Sequence, residues 1–286
     1  MAVAVVTDTT HYLPRELVEA NELHQVSLYV HWQGRDDREV DLPDFDSYYE
    51  HLRTAGELPT TSQPSVGDFL EVYEPFVDSG RDVVSIHLAG GMSGTYDSAL
   101  AAKARLDEQG RGGRIEVMDS ATACGGFGLV ALAAAAAARA GGDAEAVVRR
   151  AKECREALRM WFCIDTLEFL RRGGRIGGAR AWLGSTLKIK PILTVEEEIT
   201  PVERVRTAGR AFERMVDYMR TRAEDGADGW VVQHIQAPDQ AERLVERGRE
   251  IHGCEPLFVS EVGPVIGTHV GPGLIGVGGV PASLVR

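Results

Sequence analysis

Val83 to Leu106 reads VVSIHLAGGMSGTYDSALAAKARL, which is a strand, a glycine-rich turn and a helix in that order. Val83 to Leu88 is a short apolar run rich in β-branched residues, as suits a strand buried on both faces. Ala89 to Gly94, AGGMSG, is too small and flexible to be anything but a loop. Thr95 or Ser98 can cap the helix that follows. A strand running into such a turn aims backbone N–H groups and a helix dipole at one spot, a ready anion site, with the Ser93 hydroxyl beside it. The competing reading is a plain tight turn in an α/β sheet.

The turn also says which anions to exclude. It contains no G-x-x-x-x-G-K-[ST], and glycines 90, 91 and 94 do not fit G-x-G-x-x-G. Gly91 to Thr95 lacks the last glycine of a G-x-S-x-G nucleophile elbow. With no lysine or arginine near, a lone carboxylate fits better than a phosphate.

Working outward, the whole chain suits this unit. Its 286 residues are enough for two domains, and 44% hydrophobic with 26% charged residues is ordinary for a globular protein. A net charge of −12 argues against a nucleic acid partner. Cysteines 124, 154, 163 and 254 have no paired or zinc spacing and read as thiols in a reducing, cytoplasmic setting. MAVAVVTD reads as a strand and not as a signal peptide. No apolar run approaches the roughly 20 residues of a membrane span. With no P-loop and no H-E-x-x-H, neither a metal nor a nucleotide cofactor is expected.

Before the glycine turn, Ala2 to Val6 reads as a strand and Pro14 to Leu23 as a helix. Val26 to Trp32 reads as a strand, Gln33 to Asp46 as a polar loop and Phe45 to Thr54 as a helix. Thr60 to Ser65, TTSQPS, carries hydroxyls just before a helix that Ser65 can cap. This is either a simple cap and turn or, together with Ser93, a carboxylate clamp. After the turn come a strand at Arg114 to Met118 and helices at Gly125 to Arg139 and Asp143 to Leu158. The alternation predicts a mostly parallel sheet with helices on both faces, with Asp8, Ser93 and Asp119 on its carboxyl rim. Residues 1–158 are expected to form this first α/β domain.

Residues 159–286 are expected to form a second α/β domain, a mixed sheet with helices mainly on one side. Its strands are Met160 to Ile164, a hairpin at Lys190 to Arg206, Trp230 to Ile235, Leu257 to Val262 and Leu274 to Val277. Helices are expected at Ala208 to Arg222 and Asp239 to His252. Arg171 to Lys190 holds six Lys and Arg and no acid. It is either a solvated face or a contact for phosphate or an acidic partner. Gly263 to Gly273 places four glycines and two prolines around His269 and reads as a shaped loop.

Four stretches together resemble the DegV family: VTDTT (Val6 to Thr10), TSQPS (Thr61 to Ser65), MSGTYDSA (Met92 to Ala99) and PVIGTHVGPG (Pro264 to Gly273). TLEFLRRGGRI (Thr166 to Ile176) and LKIKPIL (Leu187 to Leu193) also match. The chain departs from the pattern at Ala89 to Met92, in place of a serine-rich lead, and at Val270, in place of threonine. The resemblance implies a two-domain α/β protein that binds one long-chain fatty acid between its domains. It implies that a separate fatty acid kinase subunit phosphorylates the acid for phospholipid synthesis, so that the chain is a lipid-binding subunit and not an enzyme alone. It maps the carboxylate contacts onto Thr61 and Ser93, with Ser62, Gly94, Thr95, Thr268 and His269 around the ligand. It maps phosphoryl-transfer roles onto Arg175 and His269. Two other readings stand beside it: a fatty acid carrier or reservoir with no kinase partner, and a serine hydrolase using Ser93 and His269.

Overall fold

The computed structural model describes residues 3–54, 56–183 and 189–286. In chain order its first elements are β1 (Ala4–Asp8), α1 (Arg15–Ala20), β2 (Leu23–Val26), β3 (Tyr29–Trp32), β4 (Arg35–Arg38), α2 (Asp46–Thr54), β5 (Thr60–Ser62) and α3 (Val66–Asp78). Then follow β6 (Val83–His87), α4 (Thr95–Asp107), β7 (Ile115–Asp119), α5 (Cys124–Arg139), α6 (Ala144–Ala157), β8 (Arg159–Cys163) and α7 (Glu168–Arg172). The chain continues through β9 (Lys190–Glu196), β10 (Glu198–Val205), α8 (Ala208–Glu224), β11 (Gly229–His234) and α9 (Pro238–His252). It closes with β12 (Phe258–Glu261), α10 (Pro264–Val270) and β13 (Ile275–Val280).

The first sheet is parallel throughout, in the order β2-β1-β6-β7. The second is mixed, in the order β10-β9-β8-β13-β11-β12, with only β11 and β12 parallel neighbours. The chain is thus a two-domain α/β protein, as the element alternation predicts. A third, small antiparallel sheet, β4-β3-β5, carries Thr61 and Ser62 on its edge strand.

α5 explains how the two larger sheets stack. It touches β1 on one side and β11 and β13 on the other. Every residue from Gly125 to Ala136 is buried. A helix enclosed on all sides has to be apolar all round, and one wedged between two sheets has to be thin. At Gly128 a Cβ would sit 2.9 Å from Leu13 and 3.4 Å from Phe258, one from each side. α3 and α4 cover the far face of the first sheet, and α8 and α9 that of the second. Ser65 caps α3 in a full capping box with Asp68.

Four local expectations need correction. Val26 to Trp32 is two strands in two sheets, because the Ser27 hydroxyl accepts from Val40 N and donates to Leu28 O at a bend. The polar loop after Trp32 contains β4. Gln33 and Gly34 take φ +49° and +73°, the left-handed pair of a tight hairpin turn. The loop around His269 is largely helical. Gly263 sits at the N-cap of α10, Gly267 lies within it, and Gly271, in the left-handed region at φ +76°, ends it. A Cβ at these three glycines would meet Tyr12 and Phe45, Tyr49, and Phe169 in turn. Gly94 is the N-cap of α4, so no side chain of its own caps that end. Ala2, Leu187 and Lys188 lie outside the described residues.

Candidate functional site

The turn after β6 is fixed from below. Asp8 is fully buried, and its Oδ2 accepts the Leu88 amide at 3.0 Å and lies 3.2 Å from His87 Nδ1. Asp119 Oδ2 accepts the Gly90 amide at 3.0 Å. These two carboxylates therefore hold the turn and are not part of a ligand rim. The hydrogen bonds with His87, Thr10 and Leu88 keep Asp8 below the ordinary carboxylate range despite the opposing effect of burial. Gly91 is required by a close approach: a Cβ there would lie 2.6 Å from the Glu197 carbonyl oxygen in the β9–β10 turn. Glu197 itself takes the left-handed φ of +68° in a turn that lacks glycine.

This scaffold presents Ser93 at the head of α4. Its Oγ lies 2.9 Å from Thr95 Oγ1 and accepts the Thr95 amide at 3.3 Å. The amides of Met92 and Ser93 are spent on Ala89 O. The hydroxyl, more than the backbone, is what the turn offers to an anion. Across from it, Thr61 on β5 pairs with Val30 of β3. Thr61 Oγ1 lies 2.9 Å from His269 Nε2 on α10. His269 Nδ1 is buried without a hydrogen-bond partner, and a Cβ at Gly173 would lie 2.3 Å from it, which leaves no room for a side chain there. Burial, and then the charge of Arg175, push His269 down to about 4. Its imidazole is therefore neutral near pH 7.

Thr61, Ser62, Ser93, Arg175 and His269 line one cavity together, with Gln63, Met92 and Leu170. Five of the sequence-predicted site residues thus converge from β5, the β6–α4 turn, the segment after α7, and α10. The remaining three lie outside that lining. Thr268 is buried, its hydroxyl donating to Pro264 O at 2.7 Å and sharing a hydrogen bond with Tyr48. Thr95 is buried behind Ser93. Gly94 lies beneath the Gln63 amide. Gln63 was legible only as part of TSQPS. Its position over the turn comes from its close approach to Gly94, where a Cβ would lie 2.5 Å from its Nε2.

A second cavity adjoins the first. The two share Met92, Ile266 and Val270. The second is apolar: Phe162, Met160, Val195, Ile199, Val262 and Leu274 form its walls, drawn mainly from the second sheet and α10. Gln233 is its most polar wall residue, and it is occupied. Its Oε1 accepts the Gly125 amide and its Nε2 donates to Ser260 Oγ at 2.9 Å. Burial raises the Cys124 thiol far above its ordinary value, so it stays neutral.

Arg175 stands at the exposed side of the polar cavity. Its Nε donates to Met92 O at 3.3 Å and its Nη1 to Gly173 O at 2.8 Å. The rest of the basic segment is partly neutralised by Arg171 with Glu168 and Lys190 with Asp165. No cluster of metal-ligating side chains is present among the described residues, and no described helix is long and apolar enough to cross a membrane.

Two stacked sheets with an adjoining polar and apolar cavity define a two-domain α/β protein. The chain belongs to the DegV family. The family profile described as "Uncharacterised protein, DegV family" matches residues 2–282. Protein DegV of Bacillus subtilis is 36% identical over 282 residues, covering 97% of this chain and 98% of that one. A DegV domain-containing protein of Clostridium acetobutylicum is 38% identical over 279 residues, covering 97% of both chains. Among solved structures, B. subtilis DegV, described as a fatty acid binding protein, superposes with a TM-score of 0.87 at 36% identity, covering 97% of this chain and 98% of that one. A DegV family protein from Thermus thermophilus, described for its fatty acid binding, gives 0.86 at 33% identity, with 98% and 99% covered.

Proposed function

We propose that this protein binds one long-chain fatty acid, its carboxylate at Thr61 and Ser93 and its tail in the apolar cavity, and presents the carboxylate to a separate kinase subunit. The continuity of a hydroxyl-lined cavity with an apolar one carries the reading, because a fatty acid has that same division. Relatives above 30% identity described as fatty acid binding support it. Burying about 15 methylenes at roughly 0.8 kcal/mol each gives on the order of 12 kcal/mol before entropy costs. The tail therefore dominates affinity and the hydroxyls set position. The domains are taken as 1–158 and 159–286, with the acid between them and the protein in the cytoplasm.

His269 acts through Thr61. An unpartnered acceptor is tolerated better than an unpartnered N–H, so the neutral ring carries its proton on Nε2 and donates to Thr61 Oγ1. The Thr61 proton is then free to donate to the carboxylate. In the kinase reaction the carboxylate attacks the terminal phosphorus of ATP, ADP leaves, and an acyl phosphate forms. The kinase subunit supplies ATP and metal. Arg175, exposed and permanently cationic, pairs with the transferring phosphoryl oxygens. The serine hydrolase reading has no support in the hydrogen bonding, since His269 is joined to Thr61 and Ser93 to Thr95.

Denaturing extraction of the purified protein followed by mass spectrometry tests the binding. It should release roughly one fatty acid per chain; an empty protein with no fatty acid affinity refutes it. With a fatty acid kinase subunit added, Arg175→Ala should keep the acid and slow acyl phosphate formation by about tenfold or more, some 1.4 kcal/mol in the transition state.

A further inference from the structure

The apolar cavity is separated from solvent on one side by a thin partition. An outer cleft lies between the start of β8 and the β9–β10 hairpin and shares Thr122, Met160 and Val195 with the apolar cavity. Beyond these three residues the cleft is polar, with Arg155, Arg159, Glu196 and Glu197 on its walls. We propose that the Met160 side chain is the movable part of this partition and limits the length of acyl chain that the protein buries whole. This rests on the fatty acid reading above and adds a specificity-determining residue to it.

The three shared residues differ in what they can do. Thr122 is buried and β-branched, and its carbonyl accepts the Ala89 amide at 2.8 Å. Val195 is β-branched and paired with Ile199 across the hairpin. Branching at Cβ leaves such side chains few rotamers. Met160 is unbranched, with three rotatable bonds and a polarizable thioether that fills irregular space. Its backbone is pinned, with its carbonyl accepting Thr194 Oγ1 at 2.8 Å and β8 paired with β13. Its tip packs against three glycines, with no neighbouring side chain at those positions to interlock with it. A Cβ at Gly125 would be 3.2 Å from Met160 Cε, and one at Gly276 would be 3.7 Å from it. A Cβ at Gly126 would be 3.6 Å from its Sδ. The thioether fills the space that side chains there would take, so its freedom to move comes from its three rotatable bonds and not from empty room.

Along β8, alternation puts Met160 and Phe162 on one face. Phe162 lines the apolar cavity alone, Met160 lines both spaces, and Leu158 and Arg159 line the cleft alone. Met160 thus stands between the apolar cavity and a cleft carrying Arg155, Arg159, Glu196 and Glu197. A chain that fits inside it is buried completely. A longer chain has to displace the thioether and expose its end among Arg155, Arg159 and the glutamates, where burial adds no further affinity.

The test is a set of affinities for saturated acids of rising length: myristic, palmitic, stearic, arachidic and behenic. Wild type should gain affinity along the series and then stop gaining. Met160→Ala should move that stop upward and raise the arachidic-to-palmitic affinity ratio about tenfold, as expected for further methylenes brought into burial. Met160→Phe, bulkier and stiffer, should lower the same ratio, and Met160→Leu, close to volume-conserving, should leave it near wild type. If Met160→Ala does not fold, Met160→Phe decides alone. Variants that bind palmitic acid with an unchanged length profile overturn the proposal while leaving the binding reading intact. A wild-type protein that binds none of the five acids refutes that reading itself.

Discussion

At the scale of single residues the site is a set of short polar links. Thr61 and His269 are joined at 2.9 Å, and Ser93 and Thr95 at 2.9 Å. Each hydroxyl that faces the cavity is thus held by a second polar group behind it. Ser93→Ala or Thr61→Ala should weaken fatty acid binding by about 1–3 kcal/mol, the usual cost of a charged group losing one partner. Isothermal titration with palmitic acid reads this, and unchanged affinity in both variants would count against the clamp. His269 makes a separate prediction. Its folded value near 4 lies below the ordinary 6.5, so folding favours the neutral ring. The stability tied to that neutral ring is present above about pH 6.5 and is lost as pH falls toward 4. An imidazole NMR titration should show His269 still neutral at pH 6, and a midpoint near 6.5 would remove burial as its controlling influence.

At the scale of elements, α10 shows two effects competing. Replacing a helical glycine by alanine ordinarily stabilises by about 1 kcal/mol. At Gly267 the added methyl would meet the Tyr49 ring and hydroxyl, which itself donates to Val262 O at 2.6 Å. Overpacking of this kind costs about 1–3 kcal/mol, so it should win. Gly267→Ala should lower the melting temperature, and a rise would show that Tyr49 yields easily. The same helix marks the limit of what the sequence tells. The β-branched runs, Pro14, Ser65 and the helix alternation were enough for the parallel sheet, because those signals are local. Glycine has two uses, freedom of φ and closeness in packing, and only the structure tells them apart: Gly267 packs on Tyr49, while Gly271 also takes φ +76°. Thr61, Ser93, Arg175 and His269 were legible as candidates through their motifs. Met160, Gln63 and Gln233 were not, because their surroundings come from elements far apart in the chain.

At the scale of the whole molecule, one buried carboxyl ties the N-terminal half to α10. Glu39 accepts from Thr9 Oγ1 at 2.7 Å, Tyr12 OH at 2.9 Å and the Val265 amide at 2.8 Å. Burial outweighs these three bonds and raises it from 4.5 to about 7. Between those values the folded state holds a proton that the unfolded state has released. Stability therefore falls as pH rises through that window, by up to roughly 3 kcal/mol in all. Glu39→Gln, neutral throughout, should lack this fall. Denaturant melts of both proteins across the window check it, and parallel profiles would contradict it. The central claim is that one acid lies across the seam with its carboxylate between Thr61 and Ser93. The most direct measurement is carbon NMR of palmitic acid labelled at the carboxyl and bound to the protein. The account predicts one bound carboxyl resonance per chain that shifts in both Thr61→Ala and Ser93→Ala. A bound resonance that neither substitution moves would place the head group elsewhere and contradict it.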